Sequence, residues 1–262
     1  MIQIAIFSDI HGNLPALKAV LADIDARKIK NIFCLGDLVD FAPWSNEVIE
    51  AILAKKIPCI MGNHDERIAF DYPIIPLAKH DDQETTCRIQ AINHSKKIIT
   101  AKNKLFLTQL PYSMQFEYKV KTKNWRIQLV HGSLESNEHY LYETTSDTTF
   151  EQIFNQTHAD ILVMGHTHIS YIKSIANKWA INTGSVGRSK EESTDATYLL
   201  LKLFEDRIEA EIICIPYDII TVIDAIKASE IPNFYADFLL SKQIKDIAPQ
   251  PFTHEQAQIS QS

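Results

Sequence analysis

The chain has 262 residues, 45% of them hydrophobic and 23% charged, with a formal net charge of −7. That length suits one sizeable α/β domain or two small ones, and no apolar run approaches the roughly 18 residues that a transmembrane helix requires. The acidic balance argues against general polyanion binding, so nucleic acid is not an expected partner; a phosphate site stays compatible, because bound cations reverse a local field.

The opening "IQIAIF" is a short apolar run ending at "SDIHGN" and reads as a buried strand. It lacks a basic leader and is too short for a signal peptide. "LPALKAVLADIDARK" follows with Leu17, Val20, Leu21 and Ile24 on one helical face, Pro15 in the first turn and Asn13 placed as a cap. "NIFCL" then runs into "GDLVD", and amphipathic "NEVIEAILAKK" leads to "IPCIM" and "GNHD". This strand–helix alternation predicts an α/β sheet with crossover connections.

Residues 66–110 read differently: "DYPIIPLAKH" as loop, "QETTCRIQAINHSKKII" and "AKNKLFLTQL" as helices, together a helical excursion near the site. "SMQFEYKVKTKNWRIQLV" reads as a hairpin with "KTKN" at its tip, delivering "HGS". "TFEQIFNQ" is helical, "DILVM" a strand into "GHTH", and "KWAIN" leads into "TGSVG". "ATYLLLKLF" and "RIEAEIICI" are two more strands, and "DIITVIDAIKAS" with "IPNFYADFLLSK" closes a domain spanning 1–245, leaving a polar tail over 246–262. The four cysteines form no C-x-x-C; Cys34, Cys59 and Cys214 lie in apolar runs, as buried free thiols do, so a reducing cytoplasm is the expected location. Nothing in the sequence sets an oligomeric state.

Glycine is the telling residue. All seven fall in six short stretches, "SDIHGN", "LGDLVD", "MGNHDE", "VHGS", "MGHTH" and "NTGSVG". Each follows an apolar run, and five of the six carry Asp, Asn or His in ligand-like positions. Ligands of open α/β sheets bind beyond the carboxyl ends of strands, so these stretches are placed to converge. They deliver Asp9, His11, Asp37, Asn63, His64, His131, His166 and His168. Oxygen and imidazole donors without thiolate suit Mn, Fe, Co, Ni or Zn, with Mn favoured here. In extended backbone, residues i and i+2 share a face, so Asp9 with His11, and His166 with His168, are expected to aim as pairs. Paired metals also need a bridging carboxylate, for which Asp37 in "GDLVD" is the candidate.

D-x-H, G-D, G-N-H-D, H-G and G-H-x-H, in that order, resemble the motif series of the calcineurin-like metallophosphoesterases, most closely their compact bacterial and archaeal branch. "HGSLESNEHYL", "NTGSVGRSK" and "PYDIITVIDAIKASEIPNFYADFLL" are also similar to that branch, and the resemblance spans residues 1–243. It implies a four-layer αββα sandwich, two mixed sheets flanked by helices, with a dinuclear metal site at the strand ends. By the same resemblance, Asp9, His11 and His168 would hold one divalent ion, Asn63, His131 and His166 the other, and Asp37 would bridge them. The implied activity is hydrolysis of phosphodiesters, and of phosphomonoesters as a further class, by metal-bound hydroxide, with His64 as acid or charge stabiliser. Asp65 would orient His64, or else cap the following turn. One departure matters. Where Ser/Thr phosphatases and diadenosine-tetraphosphate hydrolases of the superfamily have Arg-Gly after the second motif, this chain has Phe41 and Ala42. Those two substrate classes are not expected.

Other positions carry two readings each. Asn13 either caps a helix or touches substrate; Arg188 either grips a substrate phosphate or forms a surface salt bridge. Phe41 and Trp44 either wall the pocket or pack on the next helix. The competing functional classes are a metal-binding scaffold on the same fold and a nuclease.

Overall fold

The computed structural model describes residues 1–77 and 80–247. The strands are β1 (Ile2–Phe7), β2 (Asn31–Cys34), β3 (Ser113–Val120), β4 (Lys123–Val130), β5 (Ile161–Met164), β6 (Tyr171–Ile175), β7 (Lys178–Asn182), β8 (Ala196–Leu203) and β9 (Ile208–Ile215). The helices are α1 (Leu14–Ala26), α2 (Ser45–Ala54), α3 (Asn63–Ala69), α4 (Asp82–Ile98), α5 (Ala101–Thr108), α6 (Asp147–Thr157), α7 (Ile219–Lys227) and α8 (Phe234–Ile247). They form two mixed sheets, ordered β2-β1-β8-β9 and β3-β4-β5-β7-β6. Helices cover the outer face of each, giving the four-layer αββα sandwich. Among the described residues, no helix is long and apolar enough to cross a membrane.

Strand alternation builds the layers. Ile4 and Ile6 of β1 and Leu199, Leu201 and Leu203 of β8 turn inward, meeting Ile127, Leu129, Ile161 and Val163 from the other sheet. Their neighbours Ala5, Phe7, Tyr198 and Leu200 turn outward onto Leu17, Val20, Leu21 and Ile24, the predicted face of α1. In β5 the outward pair, Leu162 and Met164, meets Phe150 and Phe154 of α6. A period of two buried on both faces therefore sandwiches each sheet between its partner sheet and its helices.

The excursion comprises α4, α5 and the loop before them, with Phe70, Tyr72, Ile75 and Leu105 exposed. Two expectations need correction. "YIKSI", to which the pattern assigns no element, is the antiparallel edge strand β6, whose polar Lys173 and Ser174 disguise it. Cys214 is exposed on β9 rather than buried, whereas Cys34 and Cys59 are buried and free. The tail beginning at residue 246 lies outside the described residues, except that Asp246 and Ile247 finish α8.

Candidate metal centre

The two sheets present their carboxyl ends at one place. Asp9 and His11 follow β1, Asp37 follows β2, and Asn63 opens α3 after the bridge that joins Cys34 to Cys59. From the other sheet, His131 follows β4, and His166 and His168 follow β5. The structure brings all seven together, and all are buried. Their donor atoms fall into two sets, Asp9, His11, Asp37 and His168, and Asp37, His131 and His166, each lying within 4.8 Å of one another. Asp37 belongs to both. Asn63 joins the second set through its Oδ1, 3.2 Å from His131 Nε2.

The paired aim arises differently from the expectation of extended backbone. Asp9, His11, Asp37, His166 and His168 all have left-handed φ, between 50° and 66°. Left-handed non-glycine residues are uncommon, and they cluster at functional sites because the surroundings must hold them there. Here tight turns at the strand ends, not strand alternation, converge the donors. The sheets also approach closely: a Cβ at Gly165 would lie 2.2 Å from Ser8 Oγ and 2.6 Å from Asp9 Oδ2. Only glycine allows His166 N to reach Asp9 Oδ2 at 2.9 Å.

The chemistry of the donors fits cations. Nδ1 of His11, His131 and His168 meets the carbonyl oxygens of Val39, Leu35 and Arg188 at 3.1, 2.8 and 2.6 Å. Each ring donates its N–H there; in His11 and His168 this turns an Nε2 lone pair inward, the orientation that outer partners give metal-binding imidazoles, while His131 Nε2 faces the oxygens of Asn63 and Asp37 at 3.2 and 3.4 Å. His166 is reversed, its Nε2 donating to the Glu138 carbonyl at 3.1 Å. Two such nitrogens, on His11 and His168, face each other at 3.1 Å, and His168 Nε2 lies 3.1 Å from Asp9 Oδ1, a buried oxygen that accepts no hydrogen bond among the described residues. Lone pairs packed against carboxylates repel unless positive charge lies between them.

The titration behaviour agrees. Burial pushes His11 down to about 3, and burial with the His131 charge does the same to His166. His131 goes the other way: burial opposes its charge, but Asp37 and Asp9 lift it to about 10. Asp9 and Asp37 stay well below the usual carboxylate range despite burial, Asp9 through His168 and His131, Asp37 through His131 and His64. The site is built to hold positive charge.

His64 lies beside this set, half-buried on α3. Its Nδ1 meets Asp40 Oδ2 at 2.6 Å, leaving Nε2 to meet a substrate. Burial lowers the His64 pKa well below its ordinary value and raises that of Asp40 to about 7. The expectation for Asp65 is corrected here. Its carboxylate accepts from the backbone N–H groups of Asp37, Leu38 and Gly62 at 2.7, 2.8 and 3.1 Å, so it braces Asp37 and caps α3 instead of orienting His64. Asp40 does the orienting. Sequence reasoning missed it, and its only signal is its place as the second aspartate of "GDLVD".

Asn13 resolves as the cap: Oδ1 accepts from Ala16 N at 3.1 Å, Nδ2 donates to the Gly187 carbonyl at 3.0 Å, and the side chain is fully buried outside the lining of the cavity over the centre. Arg188 forms no ion pair among the described residues; its guanidinium lies 4.3 Å from the Phe41 ring. Phe41 walls the pocket, facing His64, and packs on Tyr235 of α8 rather than on the next helix. A cavity of about 660 Å³ opens over the centre, lined by Asp37, Asn63, His64, His166 and His168 and by Arg67, Arg88 and Arg188.

The family model of the calcineurin-like phosphoesterase superfamily domain matches residues 2–206. The chain belongs to that superfamily. An uncharacterized protein from Methanocaldococcus jannaschii is 31% identical over 252 residues, which cover 90% of this chain and 97% of the relative. Among solved structures, the calcineurin-like fold here is similar to a metallophosphoesterase from Sphaerobacter thermophilus (TM-score 0.70, 22% identity, covering 92% of this chain and 99% of that one). It is also similar to a hypothetical protein from Pyrococcus horikoshii (TM-score 0.75, 22% identity, covering 91% and 98%). At that identity the two structures speak for the fold. Superfamily membership and the buried Asp and His donors together mark this as a divalent-metal site in a phosphoesterase domain.

Proposed function

We propose that the chain is a dinuclear-metal-dependent hydrolase of small phosphodiesters, with phosphomonoesters as a second class. The observation that carries this reading is the sharing of Asp37 between two donor sets, directly below a cavity with a buried Asp–His pair on its rim. Asp9, His11, His168 and Asp37 would hold one ion, and Asp37, Asn63, His131 and His166 the other. When bound, two divalent ions acidify a water between them and neutralise charge on phosphoryl oxygens. The protein's own groups do the rest. Asp65 fixes Asp37 from behind through the Asp37 backbone, and Asp40, its pKa raised to about 7 by burial, fixes the His64 ring; with Asp40 protonated, its proton moves to Nδ1 as Nε2–H passes one to the leaving oxygen. Arg188, stacked on Phe41, supplies a charged donor to the phosphoryl group. A scaffold protein would have no use for a half-buried histidine backed by a buried carboxylate at the mouth of a cavity.

Manganese is the first choice for reconstitution, on the donor set described. We take the protein to act in the cytoplasm, a reading supported by Cys34 and Cys59, which are paired across neighbouring segments yet remain free thiols. The test is chelation followed by add-back of single metals, assayed on aryl phosphodiesters and monoesters. Hydrolysis should vanish on chelation and return with manganese. If no metal restores it, the reading is wrong.

A further inference from the structure

Arg67 follows His64 by three residues and Asn63 by four, so helix geometry sets it on their face of α3. Arg88 reaches the same cavity from α4, and Arg188 from the loop after β7. Arg67 and Arg88 are only 6% and 7% exposed, unusual for arginine unless it is paired. Their pairing is incomplete. Arg67 Nη2 donates to Glu138 at 2.8 Å, but that carboxylate is mostly exposed, and the buried Arg67 Nη1 has no acceptor among the described residues. Arg88 Nη1 donates to the neutral carbonyl of Ile75 at 2.9 Å, with no carboxylate among the described residues at ion-pair distance. Burial, and then the Arg67 charge, lower the Arg88 pKa, so the two cations repel in a poorly solvated place. The buried Arg188 Nε also lacks an acceptor among the described residues.

Glu84 lines the cavity too, but it faces His80 at 3.3 Å. The wall is thus cationic in a chain whose overall charge is −7. Its position is informative as well. Arg67 and Arg88 line the same cavity as His64, and Arg67 lies one turn along α3 from it, which places them on the side from which the leaving oxygen would be protonated. Guanidinium forks match tetrahedral oxyanions with two parallel hydrogen bonds.

We propose that Arg67 and Arg88 bind a second phosphoryl group on the leaving-group side of the substrate, so that the preferred substrates are phosphoesters carrying two phosphoryl groups. This rests on the phosphoesterase reading for the first group, which sits at the metal centre. Simple esters with uncharged leaving groups would be turned over but held weakly.

The test uses binding, which needs no turnover. The manganese-loaded full chain is titrated calorimetrically, at matched free manganese, with alkane bisphosphonates of graded spacer length and with alkylphosphonates of the same chain lengths. At one spacer length the bisphosphonate should bind about tenfold or more tightly than its single-ended counterpart, beyond the statistical factor for two identical ends, as expected for one added charged hydrogen-bonding contact. Arg67→Gln and Arg88→Gln, each checked for an unchanged unfolding temperature, should bring that ratio toward one. Equal affinity of the paired ligands at every length in the wild-type protein overturns the proposal, whether or not either variant folds. A ratio that survives both substitutions does the same. If the preference is found in a protein that cleaves no phosphoester, the hydrolase reading fails and the two-anion cavity stands. If esters are cleaved without the preference, the cavity assignment fails alone.

Discussion

Replacing Asp40 by asparagine isolates the group that orients His64. The change is isosteric at a fully buried position and removes only the charge and the ability to hold a proton. It takes the titratable partner, which carries a proton below about pH 7 and a charge above it, out of the 2.6 Å hydrogen bond between Asp40 Oδ2 and His64 Nδ1. A hydrogen bond to a charged partner contributes about 1.5–3 kcal/mol, and if it acts in the transition state, turnover falls roughly 10- to 150-fold. The loss should depend on the ester. An alkyl leaving group needs the proton that His64 delivers and should show the full effect; a nitrophenyl leaving group departs as an anion and should show little. Asp40→Asn is therefore assayed on an alkyl and a nitrophenyl diester, with bound metal measured in the same preparations and His64→Ala as the upper limit. Equal losses on both esters, or a loss that follows metal content, would refute a proton-delivering role for the pair.

Asp37→Asn removes the one carboxylate common to both donor sets, so both ions should bind about tenfold or more weakly, read as metal retained after dialysis. Retention of one ion at wild-type affinity would show that Asp37 serves a single site. Gly62→Ala puts a Cβ 2.1 Å from Asp37 Oδ1 and 2.3 Å from Asp37 N. The forced shift should cost about 1–3 kcal/mol, lowering the melting temperature by several degrees and metal loading with it; a variant unchanged in both would mean that Asp37 is not clamped as described.

The α/β sheet was legible because central strands such as β1 and β5 are buried on both faces and end in glycine-bearing polar turns, a pattern that survives in one dimension, whereas the four-layer sandwich was implied only by the family resemblance. The strand order within each sheet was not legible, since β1 pairs with β8 across most of the chain. At the site, residue identities were visible but relationships were not. Asp65 sits next to His64 in sequence, yet the helix turns it under Asp37, while Asp40, distant by 24 positions, arrives at the ring. Asn13 suits two tasks equally in sequence, and only the Gly187 carbonyl against its amide decides between them. Arg67 and Arg88 carried no signal at all, because in amphipathic helices a buried arginine is written with the same letter as a solvated one. The left-handed turns were hidden for a similar reason, as Asp and His disclose no φ.

Each candidate ion would draw ligands from both sheets: Asp9, His11 and Asp37 come from one, His131, His166 and His168 from the other. Metal occupancy would therefore act as a rivet through the seam between two layers otherwise joined by side-chain packing and by hydrogen bonds such as His166 N to Asp9 and His131 to Leu35. Cohesion of the sandwich and loading of the centre become a single equilibrium, in which ions favour the closed seam and any slippage of one layer over the other loosens them. Damage to interlayer residues such as Leu199 or Val163, well away from the chemistry, would then surface first as leakage of metal.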